Sequence, residues 1–96
     1  MSVKIAGTEF AHHHYDDRGD VLYLNAAGYE RYGGLPPAGY ETAEGHHVEY
    51  DEDGRLISIV LINVRWLLER DGEITITWPQ GHVKATDLAA VLQPAA

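Results

Sequence analysis

The chain has 96 residues and a mass of 10.6 kDa, enough for one domain with a modest core and a net stability of about 5–10 kcal/mol. Fifteen acidic residues against seven lysines and arginines give a net charge of −8, which argues against nucleic acid or an anionic membrane as a partner, since both are held by cationic side chains. With no cysteine, disulfides, thiolate nucleophiles and Cys-ligated zinc are excluded.

A single domain over 1–96 is expected, with 1–7 and 94–96 as flexible ends. Residues 1–10 lack the apolar run of a signal peptide. The longest apolar stretch, Leu56–Ile62, is interrupted by Ser58 and is far too short for a membrane span. A cytoplasmic protein is the expectation.

Along the chain, the first clear feature is a repeat. Residues 15–24 begin Tyr-Asp, continue through two polar residues to Gly19 and Asp20, and end in an apolar run; residues 50–59 do the same through Gly54 and Arg55. Aspartate at the first turn position can cap its own turn, and glycine at the fourth supplies a left-handed residue. Both segments therefore read as β-hairpins, with strands over 8–15, 20–26, 46–51 and 55–62. The last of these is apolar on both faces and should be central. Between the hairpins, the segment 27–45 reads as a long loop rich in glycine, proline and tyrosine, a type that is usually functional or disordered.

Asn63 then reads as a helix cap and 64–70 as a short helix, against a rival reading in which the strand continues to Glu69 and turns at Asp71-Gly72. The alternation in 73–78 marks a fifth strand. Thr86 would cap a last helix over 87–93, with Asp87 near its positive end. The expected fold is α+β: an antiparallel sheet of two related hairpins plus a fifth strand, covered by two short helices.

The combination of Tyr15-Asp16, Asp20-Val21-Leu22-Tyr23-Leu24, Glu44-Gly45-His46, Val48, Tyr50-Asp51, Gly54-Arg55-Leu56 and Ile59 resembles the small bacterial family described as domain of unknown function twenty-two eighty-three. The segment 62–68 resembles an extension found in some of its members, so the likeness covers roughly residues 12–70. It implies a small β-rich binding protein, antitoxin-like in some relatives, and carries no catalytic residue. The long loop and the triple histidine depart from the family's plainer pattern.

Three groups of residues are candidates for function. Residues 1–54 hold eleven acids and three bases, whereas 55–96 hold four of each, so the hairpin half is the place for a basic protein partner, through Asp17, Glu44, Glu49, Glu52 and Asp53. Five of the six histidines lie in the same half, so such binding should weaken as pH falls toward 5. Tyr29, Tyr32 and Tyr40 with His46 are candidates for a small ligand. His12 and His14 share one strand face and, with His47 brought near if the hairpins pack side by side, would suit zinc or nickel; no cofactor is otherwise indicated. Asp16 and Asp51 are better explained as turn residues. The only serines, Ser2 and Ser58, lack a nucleophile's setting. General acid–base chemistry through His46 or His14 is the enzymatic reading. A non-enzymatic binding protein is preferred, with a homodimer contact through Val64, Trp66 and Leu68.

Overall fold

The computed structural model describes residues 3–28, 39–78, 81–86, 88, 91 and 92. They form nine strands and one helix: β1 (Val3–Ile5), β2 (Thr8–Phe10), β3 (His12–Asp16), β4 (Val21–Asn25), β5 (Gly39–Glu41), β6 (His47–Tyr50), β7 (Leu56–Ile62), α1 (Val64–Asp71), β8 (Ile74–Trp78) and β9 (Gly81–Ala85). The two hairpins expected from the repeat are β3–β4 and β6–β7. In each, the aspartate after the tyrosine closes the turn. Asp16 Oδ1 accepts the Arg18 and Gly19 amides at 3.1 and 3.4 Å, and Asp51 Oδ1 accepts those of Asp53 and Arg55, both at 2.9 Å.

The expected α+β architecture with two covering helices is overturned. Among the described residues the protein is mostly antiparallel β, with one short helix. Two causes account for the difference. First, β8 does not join the main sheet as a fifth strand; it pairs with β9 in a separate two-stranded sheet, where His82 and Lys84 point outward and Ala85 is buried. Second, of the helix expected over 87–93, only Leu88, Val91 and Leu92 are described. They are buried, and Val91 N–H donates to the Leu88 carbonyl at 3.0 Å, a single tight turn. Leu88, Val91 and Leu92 are therefore core residues without a described helix.

The main sheet runs β3-β4-β7-β6-β5, with every neighbour antiparallel. The hairpins thus meet through their second strands, β4 and β7, and β7 is central. Period-two alternation sends Tyr15, Leu22, Leu24, Val48, Ile59 and Leu61 to one face, all of them buried. They cluster with Phe10, Val64, Ile74, Ile76, Leu88 and Val91, so the β1–β2 and β8–β9 hairpins cover this face where helices were expected. Val3 and Ile5, in the stretch expected to be a flexible end, belong to the same cluster. The opposite face carries half-buried Val21, Tyr23, Val60 and Ile62.

α1 ends at Gly72, whose φ of 75° lets its amide reach the Leu68 carbonyl at 2.8 Å. Its start departs from expectation. Asn63 is left-handed (φ 54°) and makes no side-chain cap. The cap comes instead from Asp20 in the β3–β4 turn.

Candidate interaction surface

Asp20 takes the left-handed conformation (φ 57°) that the repeat assigns to Gly19; in the second hairpin Gly54 (φ 80°) takes it as expected. Aspartate tolerates this region better than most residues. Asp20 Oδ1 accepts the Arg65 amide at 2.8 Å and the Tyr15 hydroxyl at 2.7 Å, while Oδ2 accepts the Trp66 amide at 3.2 Å. The Asp20 carbonyl also accepts the Val64 amide, at 3.2 Å. One turn residue thus satisfies the first amides of a helix 45 positions downstream. Burial would raise the Asp20 pKa, but hydrogen bonds from the Arg65 amide, the Tyr15 hydroxyl and the Trp66 amide outweigh it and hold the carboxyl below its usual range. Arg65 lies 5.3 Å from the Tyr15 ring centre and donates through Nη2 to the Leu92 carbonyl at 2.9 Å.

A second polar knot joins the β5–β6 turn to β8. Thr42 N–H donates to the His46 carbonyl at 2.7 Å, and Thr42 Oγ1 accepts the His46 amide at 3.1 Å. Glu44 accepts the Thr77 amide through Oε1 at 3.0 Å and the Thr77 hydroxyl through Oε2. Burial alone would raise the Glu44 pKa; the Thr77 hydroxyl and amide lower it on balance. The His46 side chain is fully buried, with Nδ1 accepting the Ile62 amide at 3.1 Å and Nε2 meeting no partner among the described residues. Burial pushes its pKa down, and the Glu44 charge only partly opposes this. Glu44→Ala should loosen the tie between the β5–β6 turn and β8, which otherwise stays anchored through Ile74 and Ile76, and lower stability by up to about 1 kcal/mol. The same variant should speed exchange of the Thr77 amide, read by hydrogen-exchange NMR; an unchanged rate would show the tie to be unimportant.

The five acids proposed for partner binding do not share a face. Val21, next to the Asp17 turn, pairs with Ile62 at one end of β7, whereas Tyr50, next to Glu52 and Asp53, pairs with Leu56 at the other. The two turns are therefore about 20 Å apart. Asp17, Glu52 and Asp53 are exposed. Asp53 meets Arg55 Nη2 at 3.4 Å, and Arg55 Nε also lies 3.3 Å from Asp51. Glu44 is committed to Thr77, and Glu49 is half-buried on the opposite face from the core.

The metal grouping is corrected by the strand order. His14 pairs with Tyr23, Tyr23 with Val60, and Val60 with His47. His14 and His47 share a face but lie three strand spacings apart, about 14 Å, and His12 lies one row further on. No group of three or more His, Asp or Glu residues able to hold a metal occurs among the described residues. His14 and Tyr23 instead form a tilted ring pair with centres 6.1 Å apart. Of the ligand candidates, Tyr29, Tyr32 and the Tyr40 side chain lie outside the described residues. His46 is closed to solvent, a position that neither a small ligand nor general acid–base chemistry can reach directly.

Of the three residues expected at a homodimer contact, Val64 is buried and Leu68 half-buried, leaving Trp66 as the exposed one at 54%. The Arg70 guanidinium stacks on its ring at 4.5 Å. Trp78 is half-buried and donates through Nε1 to the Tyr50 hydroxyl at 2.8 Å. No helix among the described residues is long and apolar enough to cross a membrane.

The signal for Asp20 lay in the repeat itself, where an aspartate stands in the position that the second hairpin gives to Arg55. No local rule points from that difference to a helix so far along the chain. Compared with protein-family models, curated proteins and solved structures, the chain matches none.

Proposed function

We propose that this chain is a non-catalytic protein-binding module that meets a basic partner through exposed carboxylates of its two hairpin turns, an antitoxin-like role of the kind its sequence resemblance implies. The observation that supports it is a division of labour among the titratable groups. Tyr15, Asp20 and His46 are turned inward or bound to backbone amides and hold the fold together. Asp17, Glu52 and Asp53 remain at the surface. A partner engaging both turns spans the length of β7, and one engaging a single turn leaves the other available.

The test uses the purified chain as bait in a source-cell lysate. Basic proteins should be retained at low salt and released as the salt is raised, because exposed charge pairs are screened. Asp17→Asn and the Glu52→Gln/Asp53→Asn pair should each weaken retention several-fold, an expectation that follows from rim charges contributing up to about 1 kcal/mol apiece. Retention indifferent to both salt and these substitutions would remove the proposal.

A further inference from the structure

The β1–β2 and β8–β9 hairpins lie side by side without pairing. Each belongs to its own two-stranded sheet, so one edge of β1 and one edge of β9 are unpaired among the described residues. A groove of about 420 Å³ separates them, lined by Val3, Lys4 and Ile5 on one side and by Lys84, Ala85, Thr86 and Leu88 on the other. A second cavity of about 260 Å³ continues the line between Ala6 and the stretch Gly81, His82 and Val83, with Trp78 in its wall. As β1 advances, its neighbours on β9 recede, so the two edges run antiparallel.

Register shows which backbone groups face this seam. In β1–β2, Ile5 and Thr8 flank the two-residue turn Ala6-Gly7, with φ of 53° and 79°, and form the hydrogen-bonded pair that such a turn requires. The next pair is the wide one, so the amide and carbonyl of Lys4 point away from β2. In β8–β9 the same alternation from the Trp78–Gly81 pair turns the backbone groups of His82 and Lys84 away from β8. The inner residues Val3, Ile5 and Ala85 are buried, whereas the side chains of Lys4, His82 and Lys84 are exposed. Lys4 and Lys84 are the only lysines in a chain of net charge −8, and both flank this groove.

We infer that the β1–β9 seam is a strand-addition site that takes an extended, acidic segment of a partner protein. Backbone groups of Lys4 on one side and of His82 and Lys84 on the other supply the ladder, and the two ammonium groups select glutamate or aspartate along the solvent-facing row. The groove volume lies within the usual range of ligand sites, about 300–1,000 Å³. Lys84 Nζ meets Glu73 Oε2 at 3.0 Å, with Lys84 exposed and Glu73 half-buried, and Lys4 stands opposite exposed Glu9 on β2. A partner carboxylate therefore competes with one glutamate at each lysine, a modest cost for pairs this open to water. The inserted segment lies antiparallel to one edge and parallel to the other, and both ladders form in proteins. This surface shares no residue with the acidic turns and does not depend on them.

The experiment is an NMR titration of the full chain, in about 0.15 M salt to damp long-range repulsion, with three capped peptides. One alternates glutamate and valine, one alternates lysine and valine, and the third is the glutamate peptide N-methylated at alternate amides. The expected result is saturable shifts confined to 3–6 and 81–86, with slower exchange of the Lys4, His82 and Lys84 amides. The lysine and N-methylated peptides should bind about tenfold more weakly or not at all. Lys4→Gln and Lys84→Gln, both at exposed positions, should each weaken the glutamate peptide about three- to fivefold. Equal binding by the three peptides, binding untouched by both substitutions, or no saturable shift overturns the inference. So does the same set of shifts on concentrating the chain alone, which would assign the edges to a second copy.

Discussion

Asp20→Ala should lower the unfolding free energy by about 2–4 kcal/mol, a large share of the total for a domain of this size. Three losses combine at that position. The Arg65 and Trp66 amides lose their acceptor, as when any helix cap is removed, at about 0.5–2 kcal/mol. The Tyr15 hydroxyl, on a side chain only 3% exposed, loses its partner, at about 1–3 kcal/mol. Alanine also tolerates the left-handed backbone poorly. These losses overlap, so the sum of their upper limits is not expected. Asp20→Asn keeps an acceptor oxygen and the backbone preference, and should recover at least half of the loss. Tyr15→Phe should cost about 1 kcal/mol. Urea unfolding of the four proteins checks the series; an Asp20→Ala variant within about 0.5 kcal/mol of the parent would show that α1 does not depend on this turn.

The same constellation sets two limits in pH. Because the folded-state pKa of Asp20 is lowered, its contribution is complete above the unfolded value, near 4, and is lost as pH falls through the folded value. Tyr15 is raised to about 12, by burial first and then by the hydrogen bond to Asp20. Its neutral form is favoured in the fold, so stability declines as pH rises from about 10 toward 12.

The second large effect concerns His46. Its lowered pKa means that the unfolded chain takes up a proton before the folded one does. Its stabilising influence is therefore intact above the unfolded value, near 6.5, and declines as pH falls below it, by up to about 1.4 kcal/mol per pH unit until the folded value is reached. Protonation opposes the fold for two reasons. The Nδ1 lone pair that accepts the Ile62 amide disappears, and a cation is left without solvent at a fully buried position. The Glu44 carboxylate is the charged group that opposes this shift. His46→Leu should cost about 1–2 kcal/mol at pH 8, because the Ile62 amide loses its acceptor. Between about pH 6.5 and pH 5, however, the variant should lose less stability than the parent. Urea midpoints across this range decide the matter: a parent-minus-variant difference that stays flat would exclude His46 as the source of acid sensitivity.

What could be read in advance follows a physical line. Asp16 and Asp51 close their own turns through amides two to four residues away, and such local chemistry is written in consecutive residues. The order of the hairpins is not local. Both repeats look alike, and nothing in either says that β4 rather than β3 meets β7, yet that choice separates His14 from His47 and places Asp17 and Glu52 at opposite ends. β9 is weakly marked in the sequence because Gly81 and Ala85 are weak strand formers, although His82, Val83, Lys84 and Ala85 alternate in burial as a strand should. The acceptor that caps the helix start is hidden in the sequence for a related reason. Asn63 is a good cap by type, but its left-handed backbone turns it out of that role, and a carboxylate from another turn takes over. His46 reads in sequence as a ligand group beside the tyrosine-rich loop, whereas in the fold it is buried and bonded to Thr42 and Ile62, a setting made by residues 4 and 16 positions away.

The meeting of β4 and β7 also dictates the order in which the molecule can assemble. Each hairpin closes over a few residues and can form within microseconds. The seam between them joins Asn25 to Ser58 and Val21 to Ile62, strands separated by about thirty residues of chain, so its closure carries the larger entropy cost and comes later. The middle of the sheet is then sealed after the two hairpins that flank it. Each doubling of the connecting stretch adds about 0.6 kcal/mol to that closure, roughly a threefold slowing of folding. The closing rate of the sheet's centre is thus set by the length of chain that links the two hairpins.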